Sequence, residues 1–144
     1  MKKNVRMAAK ALVAGAVAAA CVVGVTGSVS ALDRTVLTRG NSMNVGDRLL
    51  AYYSGVTYEL ILQTDGNLVE YKQVGGSEAA CWASNTMGQP SHHATYQTDG
   101  NFVLYDSNGT KLWASDTKDA GGSSVSINND GSFWVGTVKK HGAC

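Results

Sequence analysis

The chain has 144 residues and a mass of 15.1 kDa, room for one domain but not for two ordinary ones. Four of its 12 basic residues (Lys2, Lys3, Arg6 and Lys10) precede the first acid, so residues 32–144 carry 8 basic against 11 acidic groups and the overall +1 hides an acidic body. Such a body excludes a phosphate-gripping nucleic-acid surface, and 17 glycines with one proline exclude collagen and proline-rich disorder.

Residues 1–31 read as a secretory signal peptide. A basic stretch from Met1 to Lys10 precedes an Ala/Val-rich run from Ala11 to Val25, and Val29-Ser30-Ala31 supplies a small-x-small cleavage site. Gly15, Gly24 and Gly27 interrupt the run, which falls short of the roughly 20 apolar residues that span a bilayer. The apolar stretch also continues past Cys21, the wrong arrangement for lipid attachment there. The expected product is residues 32–144, secreted and without membrane insertion. The Lys- and Ala-rich leader looks bacterial.

Loss of Cys21 with the leader leaves Cys81 and Cys144 in an oxidising setting, where an even count predicts a disulfide. Closing that loop of about 64 residues is worth up to about 4 kcal/mol in the chain-entropy treatment. His92, His93 and His141 stand at no recognised ligand spacing, so neither a metal nor a cofactor is expected. His92-His93, after Pro90, reads as a solvated loop.

The body is built on a repeat. Gln63 to Tyr71 and Gln97 to Tyr105 agree at all but two of nine positions, and each copy is followed by Trp-Ala-Ser-x-Thr, at Trp82–Thr86 and Trp113–Thr117. A third, worn copy runs from Asn128 to Gly136. Asp-Gly between short apolar runs is a strong hairpin signal, and Asn108-Gly109 marks another turn rather than a glycosylated sequon. No window outside the leader shows a sustained helical period. The three hairpin units must close around one another to cover their edges, with Trp82 and Trp113 filling the axis and Trp134 out of register. Gly121-Gly122-Ser123-Ser124 reads as a flexible connector between the second and third units.

An odd-length loop keeps Gln63, Val69 and Tyr71 on one face. With Asp65, Gly66 and Asn67 as that loop, Gln63 would lie opposite Val69 and Asn67 would be left-handed. The face then presents two amides, a carboxylate, an aliphatic patch and a phenol. A sugar with vicinal hydroxyls uses such a set, donating to Asp65 and accepting from Gln63 or Asn67, while its C–H side rests on Val69. Turn chemistry accounts for Asp, Gly and Asn, but not for the return of Gln and Tyr at identical offsets.

The two runs, Gln63-x-Asp65-x-Asn67-x-Val69-x-Tyr71 and Gln97-x-Asp99-x-Asn101-x-Val103-x-Tyr105, resemble the signature of the bulb-type, snowdrop-agglutinin-like mannose lectins. The resemblance extends from about Val36 to Val138. It implies an all-β fold, the β-prism II, of three four-stranded antiparallel subdomains about a pseudo-threefold axis. It also implies metal-independent binding of α-D-mannose or mannosylated glycans, with Gln, Asp and Asn serving O2 and O3, Tyr serving O4, and Val meeting the ring carbons. The third copy keeps only Asp130, with Asn128 for Gln, Ser132 for Asn, Trp134 for Val and Gly136 for Tyr, so its pocket should be defunct. Plant members carry a disulfide within one subdomain where this chain has no cysteine pair. A Cys81–Cys144 bridge would instead tie the tail beside a strand beginning at Trp82.

The leading expectation is therefore a secreted, non-enzymatic lectin, with a homodimer left open. The alternative is a lectin-like bacteriocin or surface-interaction protein in which sugar binding is secondary. A hydrolase lacks paired carboxylates, since Asp65 and Asp99 fall in separate repeats.

Overall fold

A computed structural model of the protein describes residues 33–144; the leader, its cleavage point and Cys21 lie outside the described residues. Those residues form thirteen strands and no helix. An N-terminal stretch supplies β1 (Asp33–Arg34), β2 (Val36–Thr38), β3 (Ser42–Asn44) and β4 (Arg48–Tyr53). The first repeat gives β5 (Val56–Leu62), β6 (Leu68–Val74) and β7 (Ser77–Ala83). The second gives β8 (Ser91–Tyr96), β9 (Phe102–Asp106) and β10 (Lys111–Ala114), and the third β11 (Ser124–Ile127), β12 (Phe133–Val135) and β13 (Val138–His141).

Each repeat is a three-stranded meander that borrows its fourth strand from the N-terminal stretch. The sheet orders are β4-β5-β6-β7, β3-β8-β9-β10 and β2-β11-β12-β13, so the borrowed strands are distributed in reverse order along the chain. The expected three four-stranded sheets are present with one addition. The two-residue β1 pairs in parallel with the outer edge of β4, making the first sheet five-stranded.

Period-two alternation turns one face of each sheet inward. Leu60, Leu62 and Leu68 from the first sheet meet Tyr96, Phe102 and Leu104 from the second and Val125, Phe133 and Val135 from the third in one buried core. Trp82 and Trp113 pack edge to face at 5.4 Å between ring centroids, as the repeat predicted, and Trp82 also meets Phe133 at 5.0 Å. Trp134 stays out of this core, its indole reaching Ser132 instead.

Cys81 and Cys144 form a disulfide with their Cα atoms 5.8 Å apart. The tail is further held by Cys144 N donating to Asp130 O at 3.0 Å and by Lys72 Nζ donating to Cys144 O at 3.0 Å. The bridged strand begins at Ser77 rather than at Trp82, because pairing with β6 extends back to the Val74–Ser77 turn. Two other expectations change. His92 and His93 belong to strand β8, drawn in by pairing with β9. The glycine connector is tied down rather than free: Gly121 O accepts from Thr137 N at 3.0 Å, Ser123 O accepts from Arg39 N at 2.8 Å, and Ser124 already belongs to β11.

Candidate functional site

The hairpin turn sets the site. Gln63 N donates to Asn67 O at 2.9 Å and Gly66 N donates to Gln63 O at 3.1 Å, so the loop is Thr64-Asp65-Gly66. It is odd in length, as expected, but sits one residue earlier along the chain. Gln63 therefore faces Asn67, and Ile61 faces Val69. The left-handed residue is Gly66, at φ 89°, and not Asn67. This is a type I turn closed by a glycine bulge. A Cβ at Gly66 would also fall 2.1 Å from Gln89 O, so packing demands glycine as firmly as φ does. The second and third repeats make the same two hydrogen bonds, from Gln97 and Gly100 and from Asn128 and Gly131.

The turn aims the carboxylate. Asn67 N donates to Asp65 Oδ1 and Asn101 N to Asp99 Oδ1, each at 2.9 Å. One oxygen is thereby anchored and the other is left for a ligand.

Each asparagine amide is oriented by the segment after the tryptophan. Thr86 N donates to Asn67 Oδ1 at 3.1 Å, and Ser84 Oγ lies 3.1 Å from the same oxygen. In the second repeat Thr117 N at 3.2 Å and Ser115 Oγ at 3.1 Å do the same for Asn101. A backbone N–H can only donate, so the atom it meets is the amide oxygen and the NH2 group is committed outward. The intervening residue is left-handed in both copies, Asn85 at φ 58° and Asp116 at φ 55°, types that tolerate this conformation. The sequence shows Trp-Ala-Ser-x-Thr as a repeated segment but not that its Ser and Thr position the asparagine. The signal was present in an x that is Asn and then Asp.

The remaining members converge on the same outward face. Gln63 Nε2 donates to Tyr71 Oη at 2.7 Å, and Gln97 Nε2 to Tyr105 Oη at 2.5 Å. Each glutamine carbonyl and each phenolic hydrogen remains for a ligand. Val69 and Val103, 3% and 2% exposed, form the flat apolar floor. The predicted five thus assemble in both repeats: Gln63, Asp65, Asn67, Val69 and Tyr71, and Gln97, Asp99, Asn101, Val103 and Tyr105. Beside the second set an open cleft is lined by Gly40, Thr95, Gln97, Thr98 and Asp99. Arg39 braces it, donating to Thr98 O, Ala120 O and Tyr96 Oη. Neither Gly40 nor Arg39 was legible as a neighbour, because both arrive on the N-terminal stretch.

The third repeat arranges a different set of side chains on the same turn. Asp130 Oδ1 accepts from Ser132 Oγ at 2.6 Å and from Ser132 N at 2.9 Å, bonds that hold its carboxyl below the ordinary value. Trp134 Nε1 donates to Ser132 Oγ at 2.9 Å, and Lys139 Nζ lies 5.0 Å from the indole centroid. No phenol fits at position 136. Strand β12 has ended, Gly136 turns at φ 58°, and a Cβ there would lie 2.1 Å from Gly121 O. Among the described residues no cluster of three or more His, Cys, Asp or Glu could hold a metal ion.

No protein-family model matches the chain. Over 67 residues it is 46% identical to the mannose-specific lectin of Aloe arborescens, covering 46% of this chain and 58% of that protein. The chain thus spans somewhat over half the length of this curated relative. Its fold is similar to the mannose-specific agglutinin of snowdrop, Galanthus nivalis, solved with methyl α-D-mannoside: TM-score 0.59 and 29% identity over 72% of this chain and 90% of that one. It is also similar to a lectin of Allium sativum, with TM-score 0.57 and 33% identity over 70% and 91% of the two chains.

Proposed function

The chain belongs to the bulb-type mannose-specific lectins, and from that membership we infer that it is a non-enzymatic protein binding α-D-mannose through two sites, Gln63–Tyr71 and Gln97–Tyr105. The observation that carries this reading is the repeated constellation of an anchored carboxylate, an outward amide and a glutamine-bonded phenol around a buried valine. Vicinal hydroxyls donate to the free oxygen of Asp65 or Asp99 and accept from the Asn67 or Asn101 amide. The glutamine carbonyl and the phenol take the neighbouring hydroxyls, and the C–H face rests on Val69 or Val103. No group within the set is placed to move a proton or attack a carbon.

A shallow pocket displaces water that already bonded the sugar, so net gains per hydrogen bond are small. About millimolar affinity per site, near −4 kcal/mol, follows. Strong attachment then requires both sites to engage a clustered glycan. The leader at residues 1–31 supports secretion, which N-terminal sequencing of the exported protein tests by its first residue, Leu32.

The test is calorimetry with methyl α-mannoside together with retention on mannose-agarose. Asp65→Ala and Asp99→Ala are each expected to remove one of two sites and to collapse retention, whereas Asp130→Ala leaves both readouts unchanged. A site count lowered by Asp130→Ala would refute the closed third repeat. Absence of mannoside binding in the unaltered protein would refute the function.

A further inference from the structure

The two sites share five side chains but not their surroundings. At the tyrosine end, Tyr71 is flanked across the neighbouring strands by Glu59 and Ala80. The same rung in the second sheet places His93 and Lys111 on either side of Tyr105. Directly opposed residues in antiparallel strands bring their Cβ atoms within about 4.5–5.5 Å, so these flanks border any ligand that touches the phenol.

Around Tyr71 the flank is acidic. Gln73 Nε2 joins Glu59 Oε2 at 3.4 Å to Glu78 Oε2 at 2.9 Å. Arg48 lies 3.5 Å from Glu59, but its guanidinium is also engaged by Asp33 at 3.1 Å, leaving three carboxylates to one cation. Around Tyr105 the rung holds no acid. The His93 ring stacks on the phenol with centroids 5.5 Å apart and planes at 26°. Asn44 is its outer neighbour, and Lys111 is exposed on the other side. Burial and the adjacent His92 hold the His93 imidazole below its ordinary value, so at neutral pH Lys111 supplies the charge.

We propose that the two sites select different sugars: the Gln97–Tyr105 site accepts mannose carrying an anionic group on C6, and the Gln63–Tyr71 site accepts neutral mannose and disfavours the anion. This rests on the mannose reading above, in which the phenol meets O4. The exocyclic C6 is borne on the ring carbon next to C4, which brings its substituent to the tyrosine end, where the second site has Lys111 and His93 in the places that Ala80 and Glu59 take in the first. Neither repeat could reveal this difference alone, because the flanking residues lie on other strands than the signature tyrosines.

The experiment is titration of the purified protein at pH 7 and low salt with methyl α-mannoside, mannose 6-phosphate and mannuronate. Asp65→Ala leaves the second site and Asp99→Ala the first. With Asp65→Ala, the anionic sugars should bind about threefold tighter than methyl α-mannoside; with Asp99→Ala, about threefold weaker, the scale of one partly screened surface charge. Lys111→Gln on the Asp65→Ala background should abolish the gain and leave neutral mannoside affinity unchanged. A gain with both anions supports charge selection, and a gain with one of them supports it and identifies phosphate or carboxylate as the group. Equal affinities for anionic and neutral sugars in both variants would overturn the inference while leaving the mannose reading intact. Failure of the unaltered protein to bind methyl α-mannoside would overturn both.

Discussion

Glu70 offers a quantitative check on how the first site is supported. It lies on β6 between Val69 and Tyr71, with its side chain turned to the opposite face and fully buried. The other two repeats place Leu104 and Val135 at this position, both in the core. Burial, aided by the charge of Asp130, raises the Glu70 carboxyl from 4.5 to about 8. His141 Nδ1 lies 3.2 Å from Oε2, yet neither carboxyl oxygen completes an aligned hydrogen bond, so burial prevails over the pairing. Between those two values the folded protein keeps a proton that the unfolded chain has released, so stability must fall as pH rises through the window. At about 1.4 kcal/mol per unit, the loss is about 3 kcal/mol by pH 7 and about 4–5 kcal/mol by pH 8. Glu70→Leu installs the residue type of the second repeat and removes this penalty. In urea unfolding with the disulfide intact, the gap between variant and parent should widen by about 4 kcal/mol from pH 5 to pH 8. Comparing the two proteins cancels Glu59, whose carboxyl burial also raises. A gap constant to within about 1 kcal/mol over that range would refute the argument.

Ser84→Ala removes the hydroxyl that accepts from buried Leu68 N and meets Asn67 Oδ1. It should cost about 1–3 kcal/mol in urea unfolding and weaken the first site in calorimetry while leaving the second unchanged. Gly136→Ala cannot be accommodated beside Gly121 O at positive φ, so thermal unfolding should show a loss of at least about 1 kcal/mol. Cys144→Ser opens a loop with a sequence separation of 63 residues. It should lower stability by up to about 4 kcal/mol, and an unchanged urea midpoint would count against a bridge in solution.

Sequence by itself determined whatever acts over a few residues. Asp-Gly in three copies marked three tight turns, period-two alternation marked the faces, and the return of Gln, Asp, Asn, Val and Tyr at fixed spacing marked two candidate sites on one kind of hairpin. Loop parity was legible because an even loop would have split that set between faces. The exact loop was not. Asn67 and Gly66 both tolerate a left-handed backbone, and the choice fell to Gly66 because Gln89 O, on another loop, leaves no room for a Cβ.

Tertiary structure decided what depends on strands distant in the chain. The reverse assignment of β4, β3 and β2 to the three sheets follows from burying every inner face, a condition that no local pattern encodes. The same assembly turns Ser84 and Thr86 toward Asn67, stacks His93 on Tyr105 and presses Gly121 against Gly136. Turn and strand preferences are properties of a residue and its immediate neighbours. Close approaches and buried charges are properties of the packed whole, and these set the third repeat apart from the first two.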